Sequence, residues 1–198
     1  KVNYSKKAWT SQPTQSINYV SCHDDMMLTD RLKANKRLRP GELQKLSKLA
    51  QTAVLTSQGI PFLWCGEEIA RDKKGVHNSY CSPDNINAID WSLKHDNLDL
   101  FRYYQGLIAM RKAHPAFHMG DADLVRANVH FLPVEEGVVA YQLNGEAVGD
   151  SWKTIVVILN SQTRTAQVAL PAGTYRFACV DGQCPFYGER IAEGTVRV

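Results

Sequence analysis

Six consecutive apolar residues, Ile60–Pro61–Phe62–Leu63–Trp64–Cys65, stand between Gly59 and Gly66. No polar side chain alternates within the run, so a strand built from it has no solvent face. Strands of this kind are buried on both sides, as in parallel sheets covered by crossover helices. Pro61 is tolerated near the start of such a strand. A second β-prone segment, Ile17–Cys22, lies upstream. Between them, Glu42–Gln58 carries Leu43, Leu46, Ala50, Ala53, Val54 and Ser57 at helical spacing, with Gly59 as the residue past its end. Residues 67–93 are polar and rich in Asn, Ser, Pro and Asp, which predicts a loop whose length points to function. A further helix is expected over Leu98–Ala113, with Asn97 as its N-cap and His114–Pro115 as its stop. Residues 1–16 read as a loop and Met26–Leu38 as a short helix. The order strand, helix, strand, loop, helix over 17–113 is that of two successive β/α units with parallel strands.

After Ala116 the pattern changes. Val125–Pro133, Gly137–Leu143, Thr154–Asn160, Thr165–Leu170, Thr174–Val180 and Gly194–Val198 are short β-prone runs punctuated by Gly, Pro, Asn and Asp. They predict a small antiparallel β-sandwich. Charge divides the chain at the same place: 17 Lys and Arg stand against 11 Asp and Glu in residues 1–115, and 6 against 9 in residues 116–198. The two parts are therefore read as residues 1–116 and 117–198.

The chain is 44% hydrophobic and 22% charged, which excludes a disordered chain or a collagen-like repeat. Its basic cluster, Lys33, Lys36, Arg37 and Arg39, reads as a solvated face, and no basic stripe with interleaved aromatics points to nucleic acid. Gly59–Gly66 is too short to cross a bilayer. Lys1–Val2–Asn3–Tyr4 has no apolar signal region and no initiating Met, so a signal on a longer precursor would be invisible and no compartment is assigned. The five cysteines include no C-x-x-C pair, so zinc spacing is absent. Cys179 and Cys184 either bridge across a turn or stay as buried thiols.

Three features carry chemistry. His23–Asp24 stands where a strand gives way to a loop; in parallel β/α architectures functional side chains collect at the carboxyl ends of strands. A carboxylate there can accept from a sugar hydroxyl or face a developing positive charge. Gly66–Glu67–Glu68 repeats the arrangement after the second strand, with pairing to Arg71, Lys73 and Lys74 as the structural alternative. The loop His77–Asp84 mixes aromatic, amide and hydroxyl groups, as a carbohydrate site requires and as any turn-rich loop also contains. His95, His114, His118 and His130 show no metal-ligand spacing and are read as structural. Nucleophile-elbow, P-loop and dinucleotide glycine motifs are absent from the sequence.

Taken together these stretches resemble the type I pullulanases of the α-amylase superfamily of glycoside hydrolases. Tyr19–Val20–Ser21–Cys22–His23–Asp24–Asp25 is similar to the superfamily's fourth signature region, and Gln58–Glu68 to its last barrel strand. The pattern Arg71-x-x-Lys74-Gly75-x-x-Asn78-Ser79-Tyr80-x-Ser82-Pro83-Asp84, followed by Ile89–Asp90–Trp91, narrows the likeness to the debranching group. Arg111–Phe117 matches that group's last barrel helix. The resemblance implies that residues 1–116 are the last two β/α units of a TIM (β/α)8 barrel, which needs about 250 residues when whole, and that 117–198 are the β-sandwich that follows it. It also implies an α-glucan substrate and a retaining mechanism. Asp24 would be the carboxylate that stabilises the transition state, with His23, Asp25, Asn78 and Tyr80 contacting the substrate. The nucleophile and the acid/base would lie upstream, so this chain would need the rest of the barrel as its partner and be inactive alone. Relatives usually carry Asn where this chain has Asp25; an ionised carboxylate accepts but does not donate. Glu67 and Glu68 match the pattern and are given a structural role. No cofactor is implied; calcium occurs in relatives, with no ligand set visible here.

Three other readings compete. A noncatalytic carbohydrate-binding module would rest on an aromatic platform drawn from Trp152, Tyr175, Phe186 and Tyr187. An isoamylase or branching-enzyme relative would differ in the 71–84 loop. A His-Asp metal phosphohydrolase would need His23 and Asp24 on a helix.

Overall fold

The computed structural model describes residues 10–35, 38, 39, 41–185 and 187–198. Lys36 and Arg37 of the basic cluster, and Phe186 of the aromatic set, lie outside the described residues. The elements are β1 (Ile17–Asn18), α1 (Leu28–Lys33), α2 (Glu42–Thr56), β2 (Ile60–Pro61), α3 (Asp84–Asn87), α4 (Leu93–Asp96), α5 (Leu98–Ala113), α6 (Ala122–Asn128), β3 (Val129–Phe131), β4 (Val138–Asn144), β5 (Thr154–Asn160), β6 (Gln167–Arg176) and β7 (Ile191–Arg197).

β1 and β2 pair in parallel, Ile17 opposite Ile60. The Ile60 amide donates to the Ser16 carbonyl at 2.8 Å, and the Phe62 amide to that of Asn18 at 2.9 Å. Gly59, with φ +103°, makes the turn from α2 into β2; a Cβ there would lie 2.8 Å from the Ser16 carbonyl oxygen. Only glycine allows that backbone conformation at that approach.

α2 buries Ser47, Gln51, Val54 and Leu55, and α5 buries Leu100, Tyr103, Tyr104, Leu107, Met110 and Arg111. The three- and four-residue spacing puts each set on one helix face. Arg111 reaches from α5 to the end of α2. Its guanidinium donates to the carbonyls of Leu55, Ser57 and Gly59, each at 2.8 Å. Carbonyls at a helix C-terminus have no intrahelical donor and carry partial negative charge, so a buried cation is well placed there.

The main apolar core continues from these helices into the β region. Leu55, Tyr103, Leu107 and Met110 pack with Phe117, Tyr141, Leu143, Ile155 and Val157. The Tyr141 hydroxyl donates to the Thr56 carbonyl at 3.0 Å. β3, β4 and β5 form one antiparallel sheet and β6 and β7 a second. Val138 and Ala140 of the first pack on Ala166, Val168 and Val196 of the second. This is the antiparallel arrangement expected from the sequence. The Asp150 carboxylate accepts from His114 Nδ1 at 2.7 Å, from the Ala116 amide at 3.1 Å and from the Trp152 amide at 2.8 Å. Both His114 and Asp150 are buried. His114 is therefore structural, as read, and it locks the end of α5 to the β region.

Several expectations are corrected. The strands expected over 17–22 and 60–65 shrink to two paired residues each, and the apolar run is not covered on both faces: Ile17, Tyr19, Ile60 and Phe62 are exposed. Among the described residues β1 and β2 pair only with each other. The helix expected over 26–38 is confined to Leu28–Lys33. The loop at 67–93 contains a 3-10 turn at Glu67–Ile69, α3 and the start of α4. Val125 begins no strand, because Asp121 caps a helix there, accepting from the Asp123 and Leu124 amides. The two runs expected over 165–170 and 174–180 give one strand, β6 (Gln167–Arg176), irregular between Ala169 and Thr174, and its partner begins at Ile191 instead of Gly194. Asn97 does not cap α5 with its side chain; its amide donates to the carbonyls of Ile69 and Leu93.

Of the two states open to Cys179 and Cys184, the structure has them disulfide-bonded. The loop they close lies on α5. A Cβ at Gly106 would lie 2.1 Å from the Cys184 carbonyl oxygen. Gly106→Ala should therefore destabilise the chain by about 1–3 kcal/mol in urea unfolding, despite alanine's better helix propensity. Gly120→Ala, which meets nothing within 4 Å, should stay within about 0.5 kcal/mol of the parent. Equal effects would show that the α5 contact is not tight.

Candidate functional site

The carboxyl ends of β1 and β2 run out side by side, because the two strands are parallel and in register. The first leads into residues 19–25, the second into 62–68. The His23 and Trp64 rings are 6.2 Å apart, and Phe62 and Trp64 stack at 6.5 Å. His23–Asp24 thus sits beside the end of the apolar run, in a turn and not on a helix. That excludes the geometry a His-Asp phosphohydrolase needs.

Alternate residues of the 21–25 segment are held from outside it. The buried Ser21 hydroxyl donates to Glu67 Oε1. The His23 carbonyl accepts from Lys73 Nζ at 3.2 Å, and Lys73 is 2% exposed. Asp25 has φ +61° and accepts from the Met26 amide at 2.8 Å, from Arg31 at 2.6 Å and from His77 Nδ1 at 2.6 Å. The Met26 amide does most to hold the Asp25 carboxyl below the usual range; desolvation opposes it, and His77 and Arg31 add to the lowering. The Asp24 carboxylate stays largely open, 3.4 Å from His23 Nε2.

The loop after β2 is fixed from below. Asp30 of α1, buried, accepts from the Lys73 and Gly75 amides, both at 2.8 Å. Arg71 donates to the Cys65 and Asn87 carbonyls. Asn87 in turn donates to the Ser79 and Ser82 carbonyls at 2.6 and 2.9 Å. Ser79 is buried while Tyr80 beside it is 84% exposed. The Asp25–His77 contact joins this loop to the 21–25 turn, with exposed Asn78 one residue beyond it.

The structure therefore brings His23, Asp24 and Asp25 together at one strand end and tethers the Asn78–Tyr80 loop to them. Glu67 and Glu68 do not pair with Arg71, Lys73 or Lys74. Glu67 accepts from Ser21 and, at 2.7 Å, from Gln51 Nε2; Glu68 accepts from the Gly66 amide at 3.0 Å. Burial pushes Glu67 up to about 7, against the lowering effect of its hydrogen bonds to Ser21, the Trp64 backbone and Gln51, and Glu68 adds a small rise. Ser21, Asp30, Gln51 and Lys73 were not singled out as site residues by the sequence. A small hydroxyl two residues before His-Asp, and a lone acid inside a short helix, carry no pattern. Among the described residues no group of three or more His, Cys, Asp or Glu is placed to hold a metal ion, and no helix is long and apolar enough to cross a membrane. Of the aromatic platform, Trp152 is stacked on His114 at 3.6 Å and so taken up by packing.

Comparison with known proteins bears on this geometry. The family described as pullulanase, all-beta domain, matches residues 125–183. A pullulanase of Bacillus subtilis (strain 168) is 35% identical over 85% of this chain, which spans 24% of that protein. The solved pullulanase from Bacillus acidopullulyticus superposes with a TM-score of 0.91 at 37% identity, over 95% of this chain and 23% of its own. A pullulanase of Anoxybacillus sp. LM18-11, solved in complex with maltotetraose, gives 0.87 at 38% identity over 96% of this chain and 27% of its own. The resemblance read from the motifs thus extends over nearly the whole chain, which is related to the pullulanase-like glycoside hydrolases and spans about a quarter of the length of these relatives.

Glu67 sets a pH dependence. Its folded-state value, about 7, lies above the ordinary 4.5, so the folded chain binds more protons between those values. The stability this contributes is present below about pH 4.5 and is lost as pH rises through about 7, at most about 3 kcal/mol in all. Glu67→Gln should flatten the urea-unfolding free energy between pH 5 and 8. A slope unchanged in the variant would place the titrating group elsewhere.

Proposed function

We propose that this chain is the carboxyl-terminal part of a retaining glycoside hydrolase that cleaves α-1,6-glucosidic branches in pullulan, glycogen or starch. On this reading residues 1–116 supply the last two β/α units of a (β/α)8 barrel, and residues 117–198 the small β-sandwich beside it. The observation that carries the reading is the superposition, over 96% of this chain, on a pullulanase solved with maltotetraose, together with His23–Asp24 at the carboxyl end of a parallel strand. Carbohydrate sites of parallel barrels are built at that end.

The uncovered strand faces support the barrel part of the reading. Ile17, Tyr19, Ile60 and Phe62 alternate along the two strands and are 56%, 53%, 45% and 36% exposed. A soluble chain leaves such a face open only where something else covers it. The relatives carry about three quarters of their length outside the matched stretch, which is enough for the remaining strands.

Retaining hydrolysis uses a nucleophilic carboxylate and an acid/base carboxylate about 5–5.5 Å apart on either side of the scissile bond. Both are taken to lie in that other stretch. The role left to this chain is binding and distortion. Asp24, open to solvent, accepts from sugar hydroxyls and faces the positive charge that builds on the ring in the oxocarbenium-like transition state. His23 lies beside it as a hydrogen-bond donor. Asn78 and Tyr80 approach from the tethered loop. Asp25, occupied by Arg31 and His77, ties the two together and does not present a donor to the sugar.

This chain alone should release no reducing ends from pullulan, whereas a longer polypeptide carrying the complementary barrel strands should. In that polypeptide Asp24→Asn should lower kcat by about 10²–10³-fold, the range seen for removal of one group that stabilises transition-state charge, with KM changing far less. Turnover by the 198-residue chain by itself would overturn the assignment of the catalytic carboxylates.

A further inference from the structure

Glu67 is an ionisable group buried where nothing in the proposed chemistry requires one. It is 2% exposed and lies in the short turn that ends the apolar run. One carboxylate oxygen accepts from Ser21, three residues before Asp24, and the other from Gln51 on α2. The atoms around it are polar and shielded. Ser47, Gln51 and Tyr104 are buried there, with Ser47 and Gln51 against the Tyr104 hydroxyl. The titratable groups that face Glu67 are Glu68 on the same turn and Tyr104 on α5; α2 contributes the neutral Ser47 and Gln51. Burial, reinforced by the neighbouring Glu67, raises Tyr104 far above its ordinary value, so it stays a neutral donor.

We propose that Glu67 is a positioning residue for Asp24: through Ser21 it fixes the strand end from which the His23–Asp24 turn projects. Three elements meet at its carboxyl group: the segment after β1, the turn after β2, and α2. The hold has two forms. Ionised, the carboxyl accepts from Ser21 and Gln51 together. Protonated, it carries a hydrogen of its own, and a rotated Gln51 amide offers its Oε1 to receive it while Ser21 still donates. Both forms are satisfied, and the ionised one grips Ser21 more strongly because its hydrogen bond is charge-assisted. The acid therefore tunes the placement of Asp24 within the range in which it titrates, which a glutamine at 67 cannot do.

The inference rests on the functional reading only in giving Asp24 a substrate, and its test has a part that does not need one. In the isotopically labelled 198-residue chain, the Glu67 carboxyl carbon and the Ser21 amide should shift together with a midpoint of about 7. Glu67→Gln should abolish the Ser21 shift, and His23→Asn should leave it in place. A Ser21 amide that is still while Glu67 titrates, or that follows His23, overturns the proposal. In the longer polypeptide, Glu67→Ala should lower kcat on pullulan about tenfold or more with KM within about twofold, as for a small misplacement of a reacting group. Glu67→Gln should restore kcat to within about threefold while removing an ionisation near neutrality from the kcat–pH profile. Wild-type kcat in Glu67→Ala overturns the proposal. A wild-type longer polypeptide that leaves pullulan intact overturns the functional reading instead, and the Ser21 titration then decides the positioning role.

Discussion

The guanidinium of Arg111 is the joint on which the helical half turns. It is buried, and its partners are three carbonyls at the end of α2 and the start of β2. A buried cation is costly unless fully engaged, and here the engagement is with the negative end of a helix and not with an acid. The contact fixes where α2 stops and how α5 lies across it. It also fixes the turn at Gly59 that delivers β2 alongside β1. Every residue of the proposed site hangs from the ends of those two strands, so an error in this joint would displace all of them.

From that frame the site is held by contacts of unequal weight. Glu67–Ser21–Gln51 and Asp30 with the Lys73 amide are buried, so water competes little for their hydrogen bonds. Asp25 with Arg31 and His77 is open to solvent, where ion pairs are screened and individually weak. The two sorts of contact do different work. The buried ones set the backbone of residues 21–25 and of the 71–75 loop. The exposed one joins the 77–80 loop to the turn.

Much of this was legible in the sequence, for identifiable reasons. Helical spacing located α2 and α5 because each has one long buried face. The change of charge and pattern after Ala116 pointed to an antiparallel β region, since most of its short runs are β-prone and separated by turn residues. His23–Asp24 stood out because a strand ended in two polar groups. What escaped was non-local. Nothing in Val125 or its neighbours says that Asp121 will cap a helix and turn a β-prone run into α6. Nothing near Ser21 names Glu67, 46 residues on. The length of β1 and β2 escaped for a different reason: a strand's extent is decided by its neighbours, and apolar character reports only what the strand would do if it had them.

The choice of an acid at 67 follows a different logic from the choice of an acid at 24. Asp24 is largely exposed, which suits the role proposed for it, meeting a charge that appears only during reaction. Glu67 is buried and loses solvation whenever it ionises, which is why its proton is held to about pH 7. A structural acid needs no such tension; a glutamine would satisfy Ser21 and Gln51 at every pH. Keeping a carboxyl there makes the strand end slightly less stable and its geometry responsive. The physical content of the pair is a division of labour, with the carboxylate proposed to face the substrate in water and the one proposed to aim it in the core, joined by three residues of backbone.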